Sequence, residues 1–290
     1  MAAANVRDGR LPEAASLEFC VTFARRSLPL LFALCVFAFA AGAAAGEEPY
    51  RPVAGQPGKD VVWVPTPDAL IEKMLDMATV TPEDFVIDLG SGDGRAVIAA
   101  AKRGARALGV EFNGKLAGLA RERAREAGME DKARFVEGDM YEADISQASV
   151  LVLFLVEENL DRLAPKFLAM KPGSRIALNT YLVPGWTADR TEQIGECDTW
   201  CTAHLYIVPA KADGAWQLGE GTLTLRQIFQ TLRGTLSRDG KTVEISEGRL
   251  RGNKISFLAG GARYESRVEG DTMTGATDGK PWTARRIPSN

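Results

Sequence analysis

Histidine is almost missing from this 290-residue chain: His204 stands alone. Cysteine is scarce too, with four in all, and Cys20 and Cys35 lie before residue 46. That leaves Cys197, Cys201 and His204, too few soft ligands for a zinc site. Neither charge sign is in excess. With 35 Lys and Arg against 38 Asp and Glu, the formal net charge is −3, so there is no basic footprint for nucleic acid. The basic residues interleave with acids, as in Arg121-Glu-Arg-Ala-Arg-Glu126, the pattern of a solvated helix face. Only the uncharged stretch from Ser27 to Gly46 approaches the length of a membrane span.

Arg25 and Arg26 precede that stretch, and it ends Ala-Gly-Ala-Ala-Ala-Gly before Glu47. A basic flank, an apolar core and a small-residue exit form a secretory signal, with Ala43–Ala45 the expected cleavage region. An uncleaved anchor is the alternative, giving membrane association through this segment. Either way the positive-inside rule places the remainder outside the cytoplasm, exported to the periplasm or envelope, or held at the membrane. Residues 1–46 are thus set apart from the fold, and 46% hydrophobic content is ample for one α/β domain, expected over 47–210, and a smaller unit over 211–290.

Val86-Ile-Asp-Leu-Gly-Ser-Gly-Asp-Gly-Arg95 is the most informative segment. An apolar run ends in an acid and a glycine-spaced turn, and a helix-forming stretch follows. A strand, a tight loop and a helix N-terminus in this order form the nucleotide-binding corner of an α/β sheet. Gly90, Gly92 and Gly94 permit positive φ and keep side chains away from a ligand. The dinucleotide pattern would need glycine where Arg95 stands. Asp88 and Asp93 would repel a pyrophosphate but suit a ligand carrying an amino group and a sulfonium. About twenty residues on, Ala107-Leu-Gly-Val-Glu111 reads as a second strand ending in an acid placed for ribose hydroxyls. A third strand, Arg134–Glu137, leads into Gly138-Asp139-Met140, an acid and a soft side chain suited to an adenine edge and face.

These linked segments resemble class I S-adenosylmethionine-dependent methyltransferases. The resemblance implies a Rossmann-like doubly wound methyltransferase sheet with S-adenosylmethionine as cofactor. It further implies that Asp88, Gly90, Ser91, Gly92, Asp93 and Gly94 surround the methionine part, Glu111 meets the ribose, and Asp139 and Met140 meet the adenine. Upstream, Val62-Trp-Val-Pro-Thr-Pro67 enters an amphipathic helix with Pro67 expected in its first turn. With the Ala-Ala-Ala-Lys-Arg-Gly run after the loop, it resembles the protein-lysine methyltransferases acting on the ATP synthase c-subunit and the adenine nucleotide translocase. That likeness covers residues 60–185 and implies a protein lysine as acceptor. A small-molecule methyltransferase and a non-catalytic envelope protein binding S-adenosylmethionine or S-adenosylhomocysteine are the competing readings.

Ser149-Val-Leu-Val-Leu-Phe154 reads as a central buried strand. Leu155, Val156, Glu157, Glu158 and Asn159 should border the acceptor side, with Glu157 a candidate for orienting the acceptor or simply a helix N-terminal charge. Cys197 and Cys201, four apart, are spaced to close a small loop in an oxidising compartment or to remain free thiols. His204 lies in an alternating strand and is expected to be structural. After Pro209, seven segments of period two separated by glycine turns predict an antiparallel β module, a half-barrel or sandwich with lipocalin-like character. It is expected to serve as a structural cap or dimerisation surface, or else to dock substrate.

Overall fold

The first strand sets the plan of the molecule. β1 (Phe85–Leu89) is buried along nearly its whole length, as expected of a strand covered on both faces. Val86 joins the cluster packed under the helices α1 (Asp68–Met77), α2 (Arg95–Lys102) and α3 (Gly114–Glu126). Ile87 and Leu89 point to the opposite face, into the cluster under α4 (Glu157–Ala169), as the two-residue strand period requires. The computed structural model describes residues 50–195 and 197–288. The leader assigned to 1–46, with Cys20 and Cys35, lies outside the described residues.

The remaining strands of this sheet are β2 (Arg106–Glu111), β3 (Ala133–Glu137), β4 (Val150–Leu153), β5 (Arg175–Asn179), β6 (Arg190–Gln193) and β7 (Thr202–Ile207). They assemble in the order β3-β2-β1-β4-β5-β7-β6. β1 to β5 run parallel, whereas β7 is antiparallel to both β5 and β6. The order reverses between β1 and β4, and ligands gather outside the strand ends at such a switch. This is the doubly wound sheet expected from the sequence. Two local expectations shift by a residue. Pro67 is the N-cap of α1 rather than a first-turn residue, and β4 stops at Leu153, leaving Phe154 beyond the strand.

The C-terminal strands close completely, and this corrects the half-barrel or sandwich expectation. β8 (Gly214–Leu218), β9 (Gly221–Ile228), β10 (Thr231–Arg238), β11 (Lys241–Arg251), β12 (Lys254–Ala259), β13 (Ala262–Glu269), β14 (Thr272–Thr277) and β15 (Lys280–Arg286) are joined by two-residue turns. β15 pairs with β8, so the sheet becomes a closed antiparallel barrel. Closure satisfies both edge strands at once. Trp216, Phe257, Leu225, Leu250 and Met273 are fully buried and fill the interior. The alternating pattern puts Phe229 within a strand, but it lies in the β9–β10 turn with φ of 49°. There its ring stacks on Trp186 at 5.2 Å, and the neighbouring Gln230 donates to the Thr187 carbonyl at 2.5 Å. Arg249 pairs with Asp189 at 3.0 Å. These contacts join the barrel to the segment between β5 and β6.

Candidate functional site

The Gly90–Gly94 loop folds as its glycines demand. Gly90, Gly92 and Gly94 all have positive φ, a region costly for other residues. The amides of Gly90 and Ser91 donate to the Val110 carbonyl at 2.7 and 3.1 Å, which ties the loop to the end of β2. Gly94 is the left-handed N-cap of α2. A Cβ there would lie 2.7 Å from both Ala120 and the Phe135 ring, so its lack of a side chain serves packing. At Gly92 a Cβ would meet the Trp63 indole at 2.6 Å, whereas at Gly90 only Leu155 lies near, at 3.5 Å.

The loop opens onto a cavity of about 420 Å³. Asp88, Gly90, Ser91, Gly92, Asp93, Glu111, Asp139 and Met140 all line it, and Gly94 lies outside the lining. Glu111 is almost fully buried, and its two oxygens accept from the Gly92 amide at 2.8 Å and the Asn113 amide at 2.9 Å. Those bonds orient the carboxylate and leave further lone pairs free. Asp139 accepts from the Tyr141 amide at 2.9 Å and from Lys59 Nζ at 2.5 Å. The Lys59 hydrogen bond, then the Tyr141 amide, hold its carboxyl below the usual range.

The two acids of the loop have opposite circumstances. Asp88 is 7% exposed. Burial first, then the negative charges of Glu111 and Asp93, push its carboxyl well above the ordinary value. A positively charged group entering the cavity would relieve this, so the site fits a cationic ligand and opposes an anionic one. Asp93 is instead already neutralised. Arg95 Nη2 approaches it at 2.7 Å and Arg123 bonds the same oxygen. Burial alone would raise the Asp93 carboxyl, but the Arg95 and Arg123 hydrogen bonds and charges prevail and hold it down. Asp93 therefore acts on the loop's structure.

Arg95 is the residue that breaks the dinucleotide pattern, and its position explains why. Besides Asp93 it donates to the Thr66 carbonyl at 3.1 Å. It thus clamps the Val64–Pro67 entry segment to the glycine loop. Arg95→Met would leave buried Asp93 with Arg123 as its remaining partner, and we expect a loss of about 2 kcal/mol in urea denaturation at pH 7. The folded Asp93 pKa is depressed. Its contribution is therefore complete above the ordinary aspartate range and fades as pH falls through the depressed folded value. The wild-type and variant curves should accordingly converge in strong acid.

Several lining residues carry no signal in the local sequence. Residues 57–66 run along the cavity and bring Lys59 and Trp63 to it. Phe112 follows Glu111, is 53% exposed and has Lys59 Nζ 5.0 Å from its ring centroid. An aromatic directly after the β2 acid is the one sequence feature that points to it. Phe154, Tyr181 and Trp200 form the wall beyond β4 and β5. Glu157 is exposed in the first turn of α4 and is not part of the lining. His204 is structural, with Nδ1 2.9 Å from Thr191 Oγ1 and Nε2 3.1 Å from the Thr180 carbonyl. Burial lowers its pKa, keeping the ring neutral. Cys197 and Cys201 are joined in a disulfide.

Residues 88–190 match the model of the ANTKMT methyltransferase domain. A protein-lysine N-methyltransferase of Saccharolobus islandicus is 34% identical over 151 residues, covering 51% of this chain and 94% of that protein. The lysine N-methyltransferase of Mus musculus that acts on the ATP synthase c-subunit is 38% identical over 116 residues, covering 40% of this chain and 47% of that enzyme. This chain therefore spans about half the length of the mouse relative. Among solved structures, an RNA methyltransferase from Salinibacter ruber in complex with S-adenosyl-L-homocysteine shares 37% identity at a TM-score of 0.48, covering 51% of this chain and 95% of that one. Matching the archaeal relative along nearly its whole length, the chain belongs to the same family and is an S-adenosylmethionine-dependent methyltransferase.

Proposed function

We propose that the enzyme methylates the side-chain nitrogen of a lysine in another protein. The observation that carries this is the 34% identity to the archaeal protein-lysine N-methyltransferase over 94% of that protein. The acceptor side of the cavity supports it. There Leu153, Phe154, Leu155, Val156, Tyr181 and Trp200 present an apolar wall. A lysine ammonium, with a pKa of about 10.4 in water, has no lone pair to attack with. Desolvation against this wall and a neighbouring positive charge both favour the neutral amine, so no dedicated base is needed.

When bound, S-adenosylmethionine supplies the electrophilic methyl group. We assign Asp88, Ser91 and the Gly90–Asp93 backbone to its methionine part, Glu111 to the ribose, and Asp139, Met140 and Phe112 to the adenine. Asp93 contributes by holding Arg95. The protein's remaining work is alignment and exclusion of water. Lys59 Nζ donates to Asp139 at 2.5 Å, so an adenine amino group would share or replace that contact.

We place the enzyme outside the cytoplasm. The apolar segment following Arg25-Arg26 and the disulfide between Cys197 and Cys201 support this. Fractionation with N-terminal sequencing tests it, and an intact leader on a cytosolic chain would overturn it. For the reaction, the full chain is incubated with methyl-labelled cofactor and envelope extract. Label recovered as Nε-methyllysine in a protein band is expected. Label only in nucleic acid or small molecules, or none despite bound cofactor, would overturn the lysine reading.

A further inference from the structure

Phe154, Tyr181 and Trp200 come from distant points in the chain and meet at one end of the cavity. Their ring centroids are 6.2 Å apart for Phe154–Tyr181, 5.3 Å for Phe154–Trp200 and 5.9 Å for Tyr181–Trp200. All three are only partly buried. Phe154 directly follows β4 and Tyr181 lies two residues beyond β5. Trp200 belongs to the loop leading into β7, next to Cys201 and inside the disulfide, and its backbone is held at φ of 59°. The sheet order puts this wall on the far side of the switch point from Glu111 and Asp139. A cofactor with its nucleoside at the ends of β2 and β3 directs its reactive end toward these rings.

We infer that Phe154, Tyr181 and Trp200 form the acceptor subsite for an aliphatic amine, and that the Cys197–Cys201 bond is what keeps Trp200 in it. This rests on the lysine reading above. The acceptor nitrogen's lone pair forms the new N–C bond while the C–S electron pair leaves with sulfur. Positive charge therefore passes from sulfur to nitrogen, and the resulting methylammonium releases a proton to water. A charge developing beside aromatic faces, within about 6 Å of their centroids, is stabilised by the ring quadrupoles. The same rings fit the lysine methylenes, so the wall holds the amine before and after transfer. The four-residue separation between the cysteines limits how far Trp200 can swing away. Without the bond, a residue in a left-handed conformation uncommon for a bulky side chain has a local incentive to relax.

The test uses the full oxidised chain saturated with S-adenosylhomocysteine. Two probes are titrated, Nα-acetyl-Nε,Nε-dimethyllysine amide and its uncharged analogue Nα-acetylnorleucine amide. Binding is read from the tryptophan indole resonances, five in this chain, with Trp200→Phe identifying its own. The Trp200 signal should move much further, and at lower concentration, with the dimethyllysine probe than with norleucine, which offers the rings methylenes but no charge. A Cys197→Ser/Cys201→Ser double variant should retain its affinity for S-adenosylhomocysteine but bind the dimethyllysine probe at least about fivefold more weakly. A silent Trp200 resonance, or an equal response to norleucine, overturns the subsite. Unchanged probe affinity in the double variant overturns the role of the disulfide. These failures are separable from failure of the lysine reading. Label on lysine with a silent Trp200 removes only the subsite, whereas label on another acceptor removes the reading beneath it.

Discussion

Asp88→Asn should raise the melting temperature of the ligand-free enzyme and at the same time weaken S-adenosylmethionine binding by about 100-fold, roughly 2.7 kcal/mol. Both effects come from the same buried carboxyl. Its folded pKa lies well above the ordinary value because of burial and the nearby Glu111 and Asp93 charges. The folded protein therefore holds this proton more tightly than the unfolded chain does. Stability falls as pH rises from the ordinary aspartate range through the raised folded value, and the full penalty persists above it. Asparagine carries no such charge. The variant's gain in melting temperature should be present at pH 8 and disappear toward pH 4. For binding the sign reverses, because a cationic ligand favours the ionised carboxylate. Wild-type affinity should increase with pH while Asp88 ionises, with a proton released on binding inside that window. The variant should show neither effect. Calorimetry in buffers of different ionisation enthalpy, with thermal melts at both pH values, measures all of this. Equal affinities would mean that Asp88 does not face the cofactor's positive charge, and a lower melting temperature for the variant at pH 8 would mean that the buried carboxylate carries no net penalty.

Gly234→Ala should destabilise the barrel by about 4 kcal/mol, a size reserved for a few structural causes. Gly234 sits at the register shift between β10 and β11. A Cβ there would lie 1.9 Å from the Thr224 carbonyl oxygen and 2.9 Å from its carbon, both of them backbone in the neighbouring strand. Main-chain atoms fixed by strand pairing cannot step aside as a flexible side chain could. Gly240 provides the contrast. It also has positive φ, but a Cβ there meets nothing within 4 Å, so Gly240→Ala should cost only about 1 kcal/mol of conformational strain. Urea titration followed by the fluorescence of Trp216, fully buried in the barrel, reads both variants. If they behaved alike, closure would not depend on the close approach at Gly234.

The contrast between these glycines also shows what local sequence can convey. Asp239-Gly240 signals a hairpin because a two-residue turn demands positive φ, a requirement internal to those residues. Gly234 carries no such signal, because the group a side chain there would strike is the Thr224 carbonyl on the paired strand β9. Closure of β15 onto β8 is illegible for the same reason. Period-two alternation identifies strands but not which edges meet. Phe229 reads as a strand residue because its flanks alternate, and the stacking on Trp186 that holds it in a turn comes from a segment more than forty positions away.

The cavity divides along the same line. Asp88, Gly90, Gly92, Glu111 and Asp139, which line it, are legible because each lies near a strand end or in a tight turn, and a parallel sheet brings such ends to one rim. The sequence by itself thus determined the sheet, the loop, the acids and the cofactor chemistry they suit. Only the tertiary structure separated Asp88, poised for a cation, from Asp93, already clamped by Arg95 and Arg123. Only it placed Trp63 against Gly92 and gathered Phe154, Tyr181 and Trp200 into one wall. Strand period and turn chemistry are properties of adjacent residues. Burial, ion pairing and ring contact depend on which distant segments the folded chain packs together.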